Sequence, residues 1–319
     1  MPLDPHVARF LQTVAEASSE PGPSLAEQRR QSEQTALAQA GEPEAVASIE
    51  DRLIRGPAGA LPIRIYTPAG AEQGPFPALV YFHSGGWVFG SIEAHDPVCR
   101  ALANHARCLV VSVGYRLAPE HPFPAAPEDC YAATQWVAEH AHEIKADSAR
   151  LAVGGDSAGG NLAAVVALMA RDRQEPALCY QVLIYGETDY YEPGTASYAT
   201  YSEGYGLTRE DMIWFWDQYL ARPEDSMHPY AAPLRATDLS GLPPVLIITA
   251  EYDPVRDEAE HYAQRLQQAG VPVQLSCYAG MIHSFFRMFA LFEQSHQALA
   301  EVADALRTTF AVELRVPRA

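Results

Sequence analysis

Ser157 lies at the centre of Gly155-Asp156-Ser157-Ala158-Gly159-Gly160, where the apolar run Arg150-Leu-Ala-Val-Gly passes into the helical stretch Asn161-Leu-Ala-Ala-Val-Val-Ala-Leu-Met. A serine at such a strand-to-helix turn sits in a tight kink that lifts its hydroxyl above the sheet. Small residues two positions to either side let the chain fold back without collision. The first amides of the following helix face the same point. The chemistry this suits is nucleophilic attack on an acyl carbon. A bare G-x-S-x-G is a weak signal, and it is the strand before and the helix after that give it weight.

An alcohol attacks poorly unless a base takes its proton and a carboxylate holds that base in the right tautomer. Partners for a serine so placed come later in the chain, first an acid and then a histidine, on loops at the ends of strands. Asp253 comes off the apolar run Val245-Leu-Ile-Ile-Thr-Ala-Glu-Tyr, and His283 follows Val273-Gln-Leu-Ser-Cys-Tyr within Gly280-Met-Ile-His-Ser-Phe-Phe. Asp257 and Glu258 fall inside the next helical stretch and Glu251 is still on the strand, so Asp253 is favoured and Asp257 reads as a structural partner. Of eleven histidines His283 is the one in the loop directly after the last strand; His95, His105, His140 and His142 read as surface or structural residues.

Acyl transfer also needs donors for the oxygen that becomes negative. The backbone amide after the nucleophile, that of Ala158, is one. The run His83-Ser84-Gly85-Gly86-Trp87 directly follows the strand Ala78–Phe82 and supplies Gly85 and Gly86 as the others.

The elements that must position these groups are legible in the apolar pattern. Ser48–Arg55 and Leu61–Tyr66 alternate apolar and polar residues like an exposed antiparallel pair at a sheet edge. Continuous apolar runs follow at Ala78–Phe82, Cys108–Val113, Leu151–Val153, Tyr180–Tyr185, Val245–Thr249 and Val273–Tyr278, as in strands covered on both faces. Helical stretches such as Ala125–His140 and Val255–Ala269 lie between most of them, which predicts an α/β fold: a mostly parallel central sheet with helices on both faces, in a single domain. Residues 7–40 read as two helices with a turn at Glu20-Pro-Gly-Pro-Ser, outside the sheet. Residues 187–239 contain no strand pattern but an aromatic helix, Arg209–Leu220. An insertion of that length is often a lid, so a cap from about residues 1–45 and 187–239 is expected. Trp87, Phe89, Tyr190, Tyr205, Trp214 and Phe215 are the aromatics nearest the Gly-Gly loop and this cap in sequence, and are the candidate pocket walls.

The formal net charge is −18 and Lys145 is the only lysine, which argues against nucleic acid or an anionic membrane face as partner. The acidity itself is read as solvated surface. Cys99, Cys108, Cys130, Cys179 and Cys277 are widely spaced, with no zinc-ligand pattern, and most are expected to be buried thiols, so no metal is expected. The first residues lack a basic start followed by a long apolar run, and nothing approaches 18 consecutive apolar residues, so a soluble cytoplasmic protein without membrane insertion is expected.

Taken together, His83-Ser-Gly-Gly-Trp, Tyr115-Arg-Leu-Ala-Pro-Glu-His-Pro-Phe-Pro, Gly155-Asp-Ser-Ala-Gly-Gly, Leu242-Pro-Pro-Val-Leu-Ile-Ile-Thr-Ala, Asp253-Pro-Val-Arg-Asp-Glu and His283-Ser-Phe resemble the bacterial branch of the hormone-sensitive lipase family of α/β-hydrolases. The resemblance implies a serine carboxylesterase acting on short- to medium-chain acyl esters through an acyl-enzyme. It implies no cofactor, a small-molecule ester as partner, and often a homodimer. It assigns Ser157 as nucleophile, Asp253 as acid, His283 as base, and Gly85, Gly86 and Ala158 as oxyanion donors, with His83 and Tyr115–Pro124 bracing the oxyanion loop. Two positions depart from the family pattern: Ser84 stands where the first glycine of His-Gly-Gly-Gly is usual, and Gly186-Glu187 follows Tyr185 where relatives often place proline. The alternatives are an amide or formamide hydrolase with the same triad, and a ligand-binding homologue that has lost catalysis, which the retained His283 disfavours.

Overall fold

The computed structural model describes residues 2–17, 24–70 and 74–311. Two helices come first, α1 (Pro5–Ala17) and α2 (Leu25–Ala40), and most of the turn expected between them lies outside the described residues. Ser24 caps α2, its hydroxyl accepting from the Glu27 amide. The strands are β1 (Ser48–Gly56), β2 (Gly59–Thr67), β3 (Phe76–Phe82), β4 (Leu109–Val113), β5 (Ala146–Asp156), β6 (Tyr180–Ile184), β7 (Val245–Tyr252) and β8 (Val273–Ile282). They form one sheet in the order β1-β2-β4-β3-β5-β6-β7-β8, antiparallel where β1 meets β2 and β2 meets β4 and parallel at every other pairing.

The burial of the strands explains their composition. Every residue of β4 and β6 is buried, whereas β1, at the edge, is mostly exposed, matching the contrast between continuous and alternating runs. One face is covered by α4 (Ala125–Glu139), α5 (Ala158–Arg173) and α8 (Arg256–Gln268), and the other by α3 (Asp96–Ala106) and α9 (Glu293–Ala311). All thirteen residues from Ala158 to Ala170 are buried, so α5 is the central helix of its layer, and small residues are what let it approach β5 closely.

Residues 187–239 contain no strand; they hold α6 (Ala196–Thr200) and α7 (Arg209–Tyr219). α7 starts with a capping box, Thr208 and Asp211 each accepting from the other's amide. Two of its aromatics, Trp216 and Tyr219, are wholly buried and structural. α2 is fastened down by Arg29, which donates to the carbonyls of Val88 and Ala118 and pairs with Glu120 at 2.7 Å. Among the described residues no helix is long and apolar enough to cross a membrane.

Candidate active site

The turn between β5 and α5 holds Ser157 at φ 54°, ψ −126°, a conformation that a side-chain-bearing residue adopts only when its surroundings enforce it. The Ser157 amide donates to the Ile184 carbonyl at 2.9 Å, tying the turn to β6. A Cβ on Gly159 would lie 1.9 Å from the Phe82 carbonyl oxygen, so the turn closes only with glycine there.

His283 directly follows β8 and Asp253 directly follows β7, so three parallel strands of one sheet, β5, β7 and β8, deliver their residues to one rim. His283 Nε2 lies 2.8 Å from Ser157 Oγ, and His283 Nδ1 lies 2.7 Å from Asp253 Oδ2. The other Asp253 oxygen accepts from the Val255 amide at 3.1 Å. Asp253 is fully buried, and Ser157 and His283 are each 6% exposed. Burial pulls the imidazole pKa down, but the charge of Asp253 and its hydrogen bond outweigh burial and leave it raised. The competing acids are engaged elsewhere. Asp257 accepts from the Ser197 amide and pairs with Arg256, Glu258 accepts from the Thr188 amide, and Glu251 accepts from the Gly280 amide.

Gly85 and Gly86 follow β3 with φ of 124° and 57°. Their amides, and that of Ala158, carry no hydrogen bond among the described residues, which leaves all three free to donate to a bound oxygen. The loop is braced from below. The Tyr115 hydroxyl donates to the His83 carbonyl at 2.8 Å, and the two rings stack at 4.1 Å. Ser84, the departure from the usual glycine, lies with Oγ 2.8 Å from His95 Nε2. His95, expected as a surface or structural residue, is buried, and its Nε2 lies 3.6 Å from Asp156. Burial pushes the Asp156 carboxyl up, but the nearby His95 and the hydrogen bond from the Tyr81 hydroxyl at 2.7 Å prevail and hold it at about 2. Asp156 thus joins the nucleophile turn to the glycine loop. A Cβ at Gly85 would sit 2.4 Å from the Phe89 carbonyl oxygen at a φ unsuited to L residues. Gly85→Ala is therefore expected to lower kcat by about a hundred- to a thousand-fold, the effect of misplacing one oxyanion donor. Steady-state kinetics at saturating ester checks this, and a variant within threefold of wild type would remove Gly85 from the site.

A cavity of about 390 Å³ opens onto Ser157, Gly85, Gly86 and His283. Of the six candidate aromatics, Phe89 and Phe215 line it; the other four do not, and this corrects the sequence reading. Trp87 is wholly buried, stacked on Tyr219 at 4.2 Å, and Tyr190 packs on Tyr191 and Trp216. Tyr205 packs between Tyr201 and Tyr252, and Trp214 is 39% exposed on the outer side of α7 beside Phe89. Nearness in sequence was a poor guide because these rings satisfy one another. Further walls come from Phe10, Leu11 and Val14 of α1, from α2, from Leu207 before α7 and from Ile282 and Met288 around His283; sequence reasoning left these unnamed, although Phe10-Leu-x-x-Val has helical apolar spacing.

One further group meets the nucleophile. Glu187, 1% exposed in the loop after β6, places Oε1 2.8 Å from Ser157 Oγ. Burial pushes its carboxyl up to about 7, against the opposing pull of His283 and of the Ser157 hydrogen bond. Among the described residues no His, Cys, Asp or Glu cluster has the makings of a metal site. Cys99, Cys108 and Cys130 are buried, Cys179 is half-buried and Cys277 is exposed.

The family profile described as alpha/beta hydrolase fold matches residues 79–287. The carboxylic ester hydrolase LipN of Mycobacterium tuberculosis is 44% identical over 271 residues, covering 83% of this chain and 71% of LipN. An ethyl acetate hydrolase of Pseudomonas putida is 38% identical over 323 residues, covering 96% of this chain and 99% of its own. Among solved structures, the hyperthermophilic esterase of Pyrobaculum calidifontis superposes with a TM-score of 0.91 at 44% identity, covering 98% of this chain and all of that one. With the sheet order, the turn at Ser157 and these relatives in agreement, the chain belongs to the alpha/beta hydrolase fold family.

Proposed function

We infer that the protein is a serine carboxylesterase in which Ser157 attacks, His283 moves the proton and Asp253 holds His283. The observation that carries this is the unbroken chain Asp253–His283–Ser157, at 2.7 and 2.8 Å, ending at the floor of a cavity. Two relatives support the same chemistry, one named as a carboxylic ester hydrolase and one, matched over nearly its whole length, as an ethyl acetate hydrolase. As Ser157 Oγ bonds to the acyl carbon, its proton passes to His283 Nε2 and the carbonyl oxygen becomes negative, facing the amides of Gly85, Gly86 and Ala158. Collapse of that intermediate breaks the bond to the alcohol, which leaves with the proton from His283. Water, deprotonated by the same imidazole, then cleaves the acyl-enzyme and restores the serine. The balance closes with ester and water alone, so the reading calls for no cofactor.

In this reading α1, α2 and residues 187–239 form the cap, since Phe10, Leu11, Val14, Leu207 and Phe215 roof the cavity above Ser157. A volume of about 390 Å³ is at the small end of ligand sites, which run from roughly 300 to 1,000 Å³. Butyrate and hexanoate p-nitrophenyl esters are therefore expected to turn over faster than the palmitate ester. A panel of acyl lengths at matched solubility tests this, and faster cleavage of palmitate would overturn it. Dimerisation belongs to the same reading. β8 is the edge strand of the sheet and carries the exposed Leu275, a template on which a second copy can pair, and light scattering tests it.

A further inference from the structure

Glu187 belongs to none of the steps above, yet its carboxyl oxygen is as close to Ser157 Oγ as the imidazole is, 2.8 Å in both cases. A serine hydroxyl has one proton and cannot donate it to both neighbours. We propose that Glu187 is a positioning residue that works in its protonated form: its O–H donates to Ser157 Oγ, which turns the serine's own proton toward His283 Nε2. This rests on the reading of Ser157 as nucleophile and His283 as its base.

The surroundings favour the protonated acid. Glu187 is 1% exposed, and among the described residues its second oxygen, Oε2, is buried without a hydrogen-bond partner, which a carboxylate tolerates far less well than a neutral acid. The groups that face it are mostly acids or phenols. Asp253 lies behind His283, and the charge there opposes ionisation of Glu187; Glu258 of α8, the other acid close by, is itself pushed well above the usual carboxyl range by burial and supplies no compensating positive charge. The phenols of Tyr115 and Tyr198 are themselves held neutral by burial. No arginine or lysine pairs with Glu187 among the described residues, and His283 is the facing group able to carry positive charge. The backbone that carries the carboxyl is pinned, because Asn161 Nδ2 donates to the Glu187 carbonyl at 2.8 Å and the Thr188 amide is bound to Glu258 at 2.9 Å.

Glu187, Ser157 and His283 therefore share one proton beyond those of Ser157 and the His283 Nδ1–H. With that proton on Glu187, every contact is a donor facing an acceptor: Glu187 to Ser157, Ser157 to His283, His283 to Asp253. When it is lost at high pH, the carboxylate becomes the stronger acceptor, the serine proton turns away from the imidazole, and an anion stands beside the oxygen that must gain negative character during attack. The pair titrates as a unit, so its pKa values belong to both groups. Activity rises as the imidazole of the doubly protonated pair loses its proton, and falls again as the shared proton leaves.

Two measurements test this. The kcat–pH profile of Glu187→Gln, whose amide N–H donates to Ser157 at every pH, should lack the alkaline fall of the wild type, so the ratio of variant to wild-type kcat should grow by about tenfold from pH 7 to pH 9. On the unmodified protein, the rate of Ser157 phosphonylation by a p-nitrophenyl phosphonate should fall over the same range. Parallel pH profiles, a folded Glu187→Gln inactive throughout as expected of a lost base, or a phosphonylation rate flat from pH 7 to pH 9 would each overturn the proposal. Should Glu187→Gln not fold, the phosphonylation rate decides alone. Absence of labelling at any pH would instead sink the nucleophile reading.

Discussion

Ser157→Ala lowers kcat on p-nitrophenyl butyrate by about a million-fold, with little change in melting temperature. The substitution removes one oxygen and keeps the Cβ, so neither the amide bond to Ile184 nor the turn at φ 54° is altered. What disappears is the oxygen that lies 2.8 Å from the imidazole at the cavity wall. The amides of Gly85, Gly86 and Ala158 remain, so residual turnover of about a thousand- to ten-thousand-fold over water is expected, as when oxyanion donors and binding act without a nucleophile. Near-normal turnover in this variant would show that the ester is cleaved elsewhere.

Asp253→Asn has the next largest effect, a fall in kcat of about ten-thousand- to a hundred-thousand-fold. The carboxylate accepts the Nδ1 proton of His283 at 2.7 Å, which leaves Nε2 free to receive the proton of Ser157. An asparagine amide can donate to Nδ1, and the proton then sits on Nε2, where it blocks the transfer. The variant also reports on electrostatics. Asp253 raises the imidazole pKa against the effect of burial, so its neutralisation lowers that pKa. Activity needs the neutral imidazole and is lost as pH falls through its pKa, so the acidic limb of the residual kcat profile should move to lower pH. A limb that stays in place or moves upward would contradict the assignment of Asp253.

Much of this site is legible in the chain because each of its parts is fixed by local rules. Ser157, Asp253 and His283 all follow apolar runs, and a parallel sheet sends the ends of such runs to one rim, so order along the chain becomes proximity in space. The glycines of the two loops are likewise local: Gly159 is required by a backbone atom of β3 lying against it. Helix α9 went unnamed because Glu293–Ala311 follows the last strand and bridges no pair of strands, although its Ala298, Leu299, Val302 and Leu306 carry the helical period. The cavity walls were the least legible part. Phe10 and Leu11 stand far from Ser157 in sequence and meet it only because α1 packs over β8, whereas Trp87, two residues from Gly85, turns into the core to stack on Tyr219. Glu187 is the instructive case. Its identity was conspicuous in the sequence, but its meaning depends on a 2.8 Å approach that no periodicity reports.

The central claim, that Ser157 is the nucleophile activated by His283, is tested most directly by mass spectrometry of the protein after reaction with a p-nitrophenyl phosphonate. The account predicts one phosphonyl group per chain, on the peptide containing Ser157, with loss of esterase activity in step with labelling and no adduct in His283→Ala over the same time. An adduct on another residue, or full activity with Ser157 modified, would contradict it.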